Sequence, residues 1–272
     1  MFLNQSTDGV EYYCFNNLSK FSDRLVHGVF TRAGGVSQIH FSSLNVGLAT
    51  GDDKEKVYLN RKIVAKSMGA NENSSIYLNQ VHGDDFLILK KDDNKLNKYH
   101  TSNSYIEFES PKNADGIVTN IKGLLTVMQV ADCQAIILYD PVNQVIANIH
   151  SGWRGTLLNI VGRGVDIMVE QFYTKPYEII AAISPSLGPC CAEFRNYREE
   201  IPEEFWKYRV KEIGNGYNFD FWKISHDQLI EKGVLSEHIE IAEVCTPCTS
   251  NMFYSYRKEG LTGRFAVAAG LV

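Results

Sequence analysis

Four stretches of the chain are almost continuously apolar: LLTVMQVADC (124–133), QAIILYD (134–140), QVIANIH (144–150) and YEIIAAIS (177–184). Their β-branched content and lack of alternation predict strands with neither face in water. Asp140, Pro141, Val142 and Asn143 separate the second run from the third, a turn that predicts a hairpin and hence an antiparallel pair. The period changes over 156–172, where Leu157, Leu158, Val161, Val165, Met168 and Phe172 fall on one helical face. Helices are also expected over 54–68, with Asp52 and Asp53 as N-cap candidates and Gly69 as the stop, and over 219–232, stopped by Gly233. YEIIAAIS follows the 156–172 helix, so at least one longer connection joins the strands. No repeat or Pro- or Ser-rich linker divides the chain, and the polar tract 90–104 reads as a surface excursion. The expectation is an α+β protein, one domain over residues 1–272, with a mixed, largely antiparallel β-sheet core flanked by helices.

The 272 residues are 44% apolar and 22% charged, enough to bury a core and too apolar for a disordered chain. Lys plus Arg number 27 against 32 Asp plus Glu, a net charge of −5. That balance offers no overall field to a polyanion, so no nucleic-acid partner is expected. No window approaches the roughly 18–20 apolar residues that cross a bilayer, and the opening MFLNQSTDGVEYY lacks the basic-then-apolar order of a secretory signal. A cytoplasmic protein with no membrane partner, monomeric by default, is the expectation. Six cysteines are too sparse for a disulfide framework. Cys190-Cys191 and Cys245-x-x-Cys248 read as structural thiols, because a CxxC without a second pair is a weak metal signal and vicinal cysteines rarely share a tetrahedral ion.

Polar residues interrupt the apolar runs where strands should end: Asn79-Gln80-Val81-His82-Gly83, Ala131-Asp132-Cys133 and His150-Ser151-Gly152-Trp153-Arg154-Gly155. His82, Cys133 and His150 form a borderline-soft donor set suited to Zn²⁺, with a fourth position left open for water or substrate. The same residues also read as two hydrogen-bonded histidines and a buried thiol, or as a Cys133 nucleophile with His150 as base and Asp132 or Asp115 orienting the imidazole. Asp132 is in addition a candidate general acid or turn cap, and Asp115 reads most simply as a turn residue. Two segments could cradle an anion. Arg32 through Ser37 combines a guanidinium, the Gly34-Gly35 pair and a hydroxyl, while Gly152-Trp153-Arg154-Gly155 leads into the predicted helix N-terminus.

In order along the chain, NQVHG, ADGIVTN, ADCQAIILYDP, NIHSGWRG, SPSLGPCC and CTPC…FYSYRKEG.TGR resemble the YfiH family. This is also called the multicopper polyphenol oxidase (laccase-like) family, of the purine nucleoside phosphorylase LACC1 type. The resemblance runs from about Val26 to the C-terminus and implies a CNF1/YfiH-like fold. It places the family's metal ligands on His82, Cys133 and His150. It implies phosphorolysis of adenosine and inosine to free base and ribose 1-phosphate, with methylthioadenosine cleavage and adenosine deamination as further activities. The partners would then be a small-molecule nucleoside and phosphate. Arg32 and Ser37 fall in a TRxGGVS-like motif, Asn45 in SLNVGL would touch sugar or phosphate, and Trp153 would stack on the purine. Zn²⁺ suits deamination directly, since such a site generates hydroxide near neutral pH. Copper is less plausible, because a multicopper oxidase needs more imidazoles than the seven in the whole chain. Gln134-Ala135-Ile136 departs from the family's Pro-containing stretch, which bears on the pocket wall, and Ser225-His226 from an Asn-Arg-like pair; neither departure touches a ligand. Two alternatives remain: a peptidoglycan-precursor editing amidohydrolase, and a non-catalytic partner protein stapled by a closed metal site. The second would need a fourth ligand from among Cys190, Cys191, Cys245 and Cys248.

Overall fold

The computed structural model describes residues 1–6, 8–90 and 113–272. The expected surface excursion over 90–104 therefore lies, beyond Lys90, outside the described residues. Two six-stranded sheets form the centre. The first runs, in spatial order, Phe2–Gln5, Glu11–Cys14, Leu25–Phe30, Phe265–Leu271, Leu125–Val130 and Ser75–Tyr77. The second runs Ile239–Ile241, Ile180–Ile183, Gln134–Asp140, Val145–Ser151, Gly116–Thr119 and Phe86–Leu89. Both are mixed and mostly antiparallel. The α+β class holds, with the core divided between two sheets rather than gathered in one.

Alternating side chains explain why the strands are apolar throughout. Ala135, Ile137 and Tyr139 pack between the sheets with Met128, Val130, Phe265 and Val267 of the first sheet. Ile136 and Leu138 face the other way, onto Val161, Val165, Met168 and Phe172 of the helix Ile160–Phe172 and Leu229 of the helix Phe221–Glu231. On the far side of the first sheet, Val127, Ala266 and Ala268 cover Val64, Ala65 and Met68 at the end of the helix Lys54–Ser67. The order of layers is helix, sheet, sheet, helix, so neither face of a central strand meets water. A small sheet of Glu193–Phe194, Gly216–Phe219 and Arg209–Ile213 closes one end over an aromatic cluster that Trp153 joins.

The 134–150 hairpin forms as expected, with Asp140 accepting from the N–H groups of Val142 and Asn143. Asp53 caps the 54–67 helix and Asp220 the 221–231 helix, and Gly69 and Gly233 follow them with φ of 68° and 91°. One expectation is refined and one is corrected. The runs 124–133 and 134–140 lie in different sheets, and residues 131–133 carry the chain across, with Asp132 at φ 84°. The continuous helix over 156–172 is instead a short turn of helix, Trp153–Leu157, and a longer one, Ile160–Phe172, broken at Asn159. Asn159 sits in the left-handed region (φ 58°, ψ 42°) and its side chain accepts from the Gly162 N–H. Leu158 consequently points to solvent at 57% exposure, and the apolar stripe begins at Ile160.

Asn159→Ala should destabilise the fold by about 1–2 kcal/mol through loss of the cap and strain at positive φ. Asn159→Gly should cost only a few tenths of a kcal/mol, because glycine relieves the backbone. Urea denaturation of both variants tests this, and equal losses would contradict it.

Candidate functional site

Strand register assembles the site. Ala135 pairs with His150 and Gln134 with Ser151 at the open end of the hairpin, which brings Cys133 out of the ladder beside Gly152. On the other side Gly116 pairs with Ile149, so the next residues outward, Asp115 and His150, are neighbours, and the His150 N–H donates to the Asp115 carbonyl at 2.6 Å. Asn79 bridges Asn113, and the loop from there to Phe86 carries His82 over the same end of the sheet.

The ligand-type atoms of His82, Cys133 and His150 all lie within 4.8 Å of one another. Cys133 Sγ is 3.7 Å from His82 Nε2, and the two imidazoles meet edge-on with ring centroids 4.8 Å apart. A Cβ on Gly152 would sit 2.7 Å from His82 Cδ2 and 3.2 Å from Cys133 Sγ, so this position accommodates the cluster only as glycine. Two imidazoles and a thiolate converging in this way fit a divalent transition metal, and they are the three residues the sequence pattern singled out.

Asp115 holds both histidine segments. Its fully buried carboxylate accepts from His150 Nδ1 at 2.7 Å and from the backbone N–H groups of Val81, His82 and Gly83 at 3.3, 3.0 and 2.7 Å. Burial raises this carboxyl, but the hydrogen bonds and charge from His150 and the backbone N–H groups reverse that and hold it below the usual carboxylate range. The bond fixes His150 with Nδ1–H donating to Asp115, leaving Nε2 as the nitrogen available to a metal. His82 itself is left-handed (φ 61°), a conformation that three N–H bonds to one carboxylate enforce. Burial disfavours charge on Cys133 and on His150, yet each sustains the other's: the His150 imidazolium draws the thiol down, and the thiolate with Asp115 draws the imidazole up.

A cavity of about 890 Å³ opens onto the cluster. Its walls include Tyr58, Tyr77, Trp153, Phe194, Phe221 and Tyr256, and three arginines, Arg61, Arg257 and Arg264. Of the expected site residues, His82, Cys133, His150, Asp132 and Trp153 line it together. Asp132 accepts from Thr246 Oγ1 and from the Arg257 N–H, each at 2.6 Å, so its carboxylate pins a neighbouring loop and is not the partner of an imidazole. Arg154 is exposed beside Trp153, its guanidinium 4.9 Å from the indole, and is not part of the lining.

The expected anion cradle at 32–37 also lies outside the cavity. Arg32 is spent on Glu259 and the Ser250 carbonyl, Ser37 donates to Asp52, and fully buried Asn45 binds Asp52, Thr50 and the Arg264 N–H. Nor are the amides after Gly34 bared, since the Gly35 N–H donates to Ser43 and the Val36 N–H to Asn60. Positive charge reaches the cavity from residues the sequence reading left without a role. Arg257 and Arg264 stand in FYSYRKEG.TGR, a segment recognised as motif-like, while Arg61 lies in a helix with no local signal. Burial lowers the basicity of Arg264, and the nearby Cys133 and Asp132 oppose that.

Asp115→Asn should keep the fold, as read by circular dichroism, and lower metal affinity about 10–100-fold in a chelator competition titration. Unchanged affinity would show that Asp115 does not govern the ligands. Gly152→Ala should likewise weaken metal binding while leaving the hairpin intact.

The sequence and fold have clear relatives. The Geobacillus stearothermophilus protein named purine nucleoside phosphorylase YlmD is 32% identical over 253 residues, 90% of this chain and 89% of that protein. The crystal structure of YlmD from the same organism superposes with a TM-score of 0.84 at 29% identity, covering 99% of this chain and 98% of that one. A Bacillus licheniformis structure described as hypothetical protein YfiH gives 0.83 at 26% identity, covering 99% of each chain. A family model described as multi-copper polyphenol oxidoreductase laccase matches residues 26–272, and the chain belongs to that YfiH/laccase-like family.

Proposed function

We propose that this protein is a zinc-dependent purine nucleoside phosphorylase that converts adenosine and inosine, with phosphate, to the free base and ribose 1-phosphate. The observation that carries the proposal is one cavity that combines the His82–Cys133–His150 cluster, three arginines and the rings of Tyr58, Tyr77, Trp153, Phe194, Phe221 and Tyr256. The names of the relatives support the same reaction. The donor set favours Zn²⁺ over a multicopper centre, because one His₂Cys cluster holds a single ion. Cleavage of methylthioadenosine, deamination of adenosine and a cytoplasmic setting belong to the same proposal.

His82, Cys133 and His150 would hold the ion. When bound there, Zn²⁺ supplies Lewis-acid polarisation of an oxygen in the substrate or water. The rest falls to the protein. Phosphorolysis brings an anion to the sugar, and Arg264 is suited to receive it: among the described residues only Nη1 of its guanidinium hydrogen-bonds to protein, with the Thr262 and Gly263 carbonyls, which leaves the other guanidinium donors for phosphate. Arg61 is already aligned by the Val46 carbonyl and Gln129, and stacks 3.8 Å from the Tyr77 ring centroid, so it adds a fixed charge to the same wall. Trp153 and Phe194 offer ring surface for a purine. Gln134, 3% exposed, donates to the Phe221 carbonyl, while its buried Oε1 has no partner among the described residues. Asp132 acts as a positioning residue for Cys133, since both its oxygens already accept short hydrogen bonds.

Metal-replete protein incubated with inosine should release hypoxanthine and ribose 1-phosphate only when phosphate is present, read by chromatography of the products. Turnover independent of phosphate would overturn phosphorolysis, and inosine appearing from adenosine in its absence would identify a deaminase. Arg264→Ala should raise the KM for phosphate roughly tenfold or more, the scale of a lost charge-assisted contact, with metal content unchanged.

A further inference from the structure

Four of the six cysteines, treated as structural thiols on the strength of their spacing, meet at one point. The sulfurs of Cys190, Cys191, Cys245 and Cys248 all lie within 4.8 Å of one another, with Cys248 Sγ 3.7 Å from Cys190 Sγ and 3.6 Å from Cys191 Sγ. We infer that these four thiolates form a second, closed metal site that takes Zn²⁺ in tetrahedral coordination.

The geometry agrees with the ion. With Zn–S bonds of about 2.3 Å, the edge of a ZnS₄ tetrahedron is about 3.8 Å, close to both sulfur contacts above. The thiols are free. Two turns deliver them. In one, the Cys191 and Ala192 N–H groups donate to the Gly188 carbonyl; in the other, the Thr249 N–H and hydroxyl donate to the Cys245 carbonyl. Paired backbone joins the two turns at their bases, with the Ser186 N–H on the Val244 carbonyl and the Thr246 N–H on the Ser186 carbonyl. A side chain at position 188 would place its Cβ 2.9 Å from Cys245 Cβ, so glycine there permits the approach. This answers the objection to vicinal cysteines: within a turn, Cys190 and Cys191 both reach Cys248.

Charge agrees as well. Four thiolates on a divalent ion leave a net −2, and two cations border the cluster: Lys258 donates to the Pro247 carbonyl, and Arg257 Nη1 donates to the carbonyls of Cys191 and Glu193. The site has a structural use distinct from the His₂Cys cluster. Thr246 from the second turn and the Arg257 N–H hold the carboxylate of Asp132, which immediately precedes Cys133. A closed ion here would fasten that wall of the cavity without reaching substrate.

Protein purified under reducing conditions should carry two equivalents of zinc by plasma mass spectrometry. Cys248→Ser should lose one equivalent and keep the other, and Cys133→Ser should show the converse. Should Cys248→Ser not fold, the ion retained by Cys133→Ser decides the matter: X-ray absorption should report four sulfur neighbours at about 2.3 Å. A single equivalent that Cys133→Ser abolishes, nitrogen or oxygen in the shell of the retained ion, or disulfides among the four cysteines in the reduced protein would each overturn the inference.

Discussion

The carboxylate of Asp115 takes hydrogen bonds from the ring of His150 and from three consecutive amides around His82, so one buried charge orients one imidazole and fixes the backbone that carries the other. A carboxylate taken out of water is costly unless its lone pairs are filled. Here they are filled by the groups that need placing, and truncating such a network costs about 3–5 kcal/mol because the remaining partners stay buried. The left-handed backbone at His82 persists for the same reason: releasing it would strand the carboxylate.

That arrangement depends on sheets covered on both faces. With apolar layers on either side of the central strands, a reactive cluster open to a cavity forms where the strands run out, and His82, Cys133 and His150 occupy such an end. Residues 131–133 carry the chain from one sheet to the other, and the turn they require puts Cys133 between the sheet ends rather than within either. Two of the site residues, His82 and Asp132, have positive φ. Each is held there by bonds to a neighbouring segment, which is how a packed scaffold sustains strain where chemistry needs it.

Overall charge and local charge point in opposite directions. The chain carries −5, yet the described cavity lining contains three arginines against the single carboxylate of Asp132. A low-dielectric pocket with fixed cations attracts a small anion whatever the sum over the surface. Net charge thus bears on polyanion partners and says little about a phosphate-sized ligand.

The buried strands, the 140–143 hairpin, the helix cap at Asp53 and the candidate set His82, Cys133 and His150 were legible along the chain, because each is a local consequence of period, turn chemistry or residue type. The break at Asn159 was not: an apolar stripe reads through a single left-handed residue, whose capping bond to Gly162 involves no periodicity. Asp115 looked like a turn residue because its partners are distant in sequence and are met only through strand register. Arg32 and Ser37 looked like an anion cradle, and Asn45 like a sugar or phosphate contact, because composition cannot reveal that their polar groups are already engaged by Asp52, Glu259 and Asn60. Local pattern determined which segments are strands, helices and strand ends, since those follow from the backbone and its nearest neighbours. Only the tertiary structure decided which charges face the cavity and which sulfurs meet, since that depends on register between strands far apart in the chain.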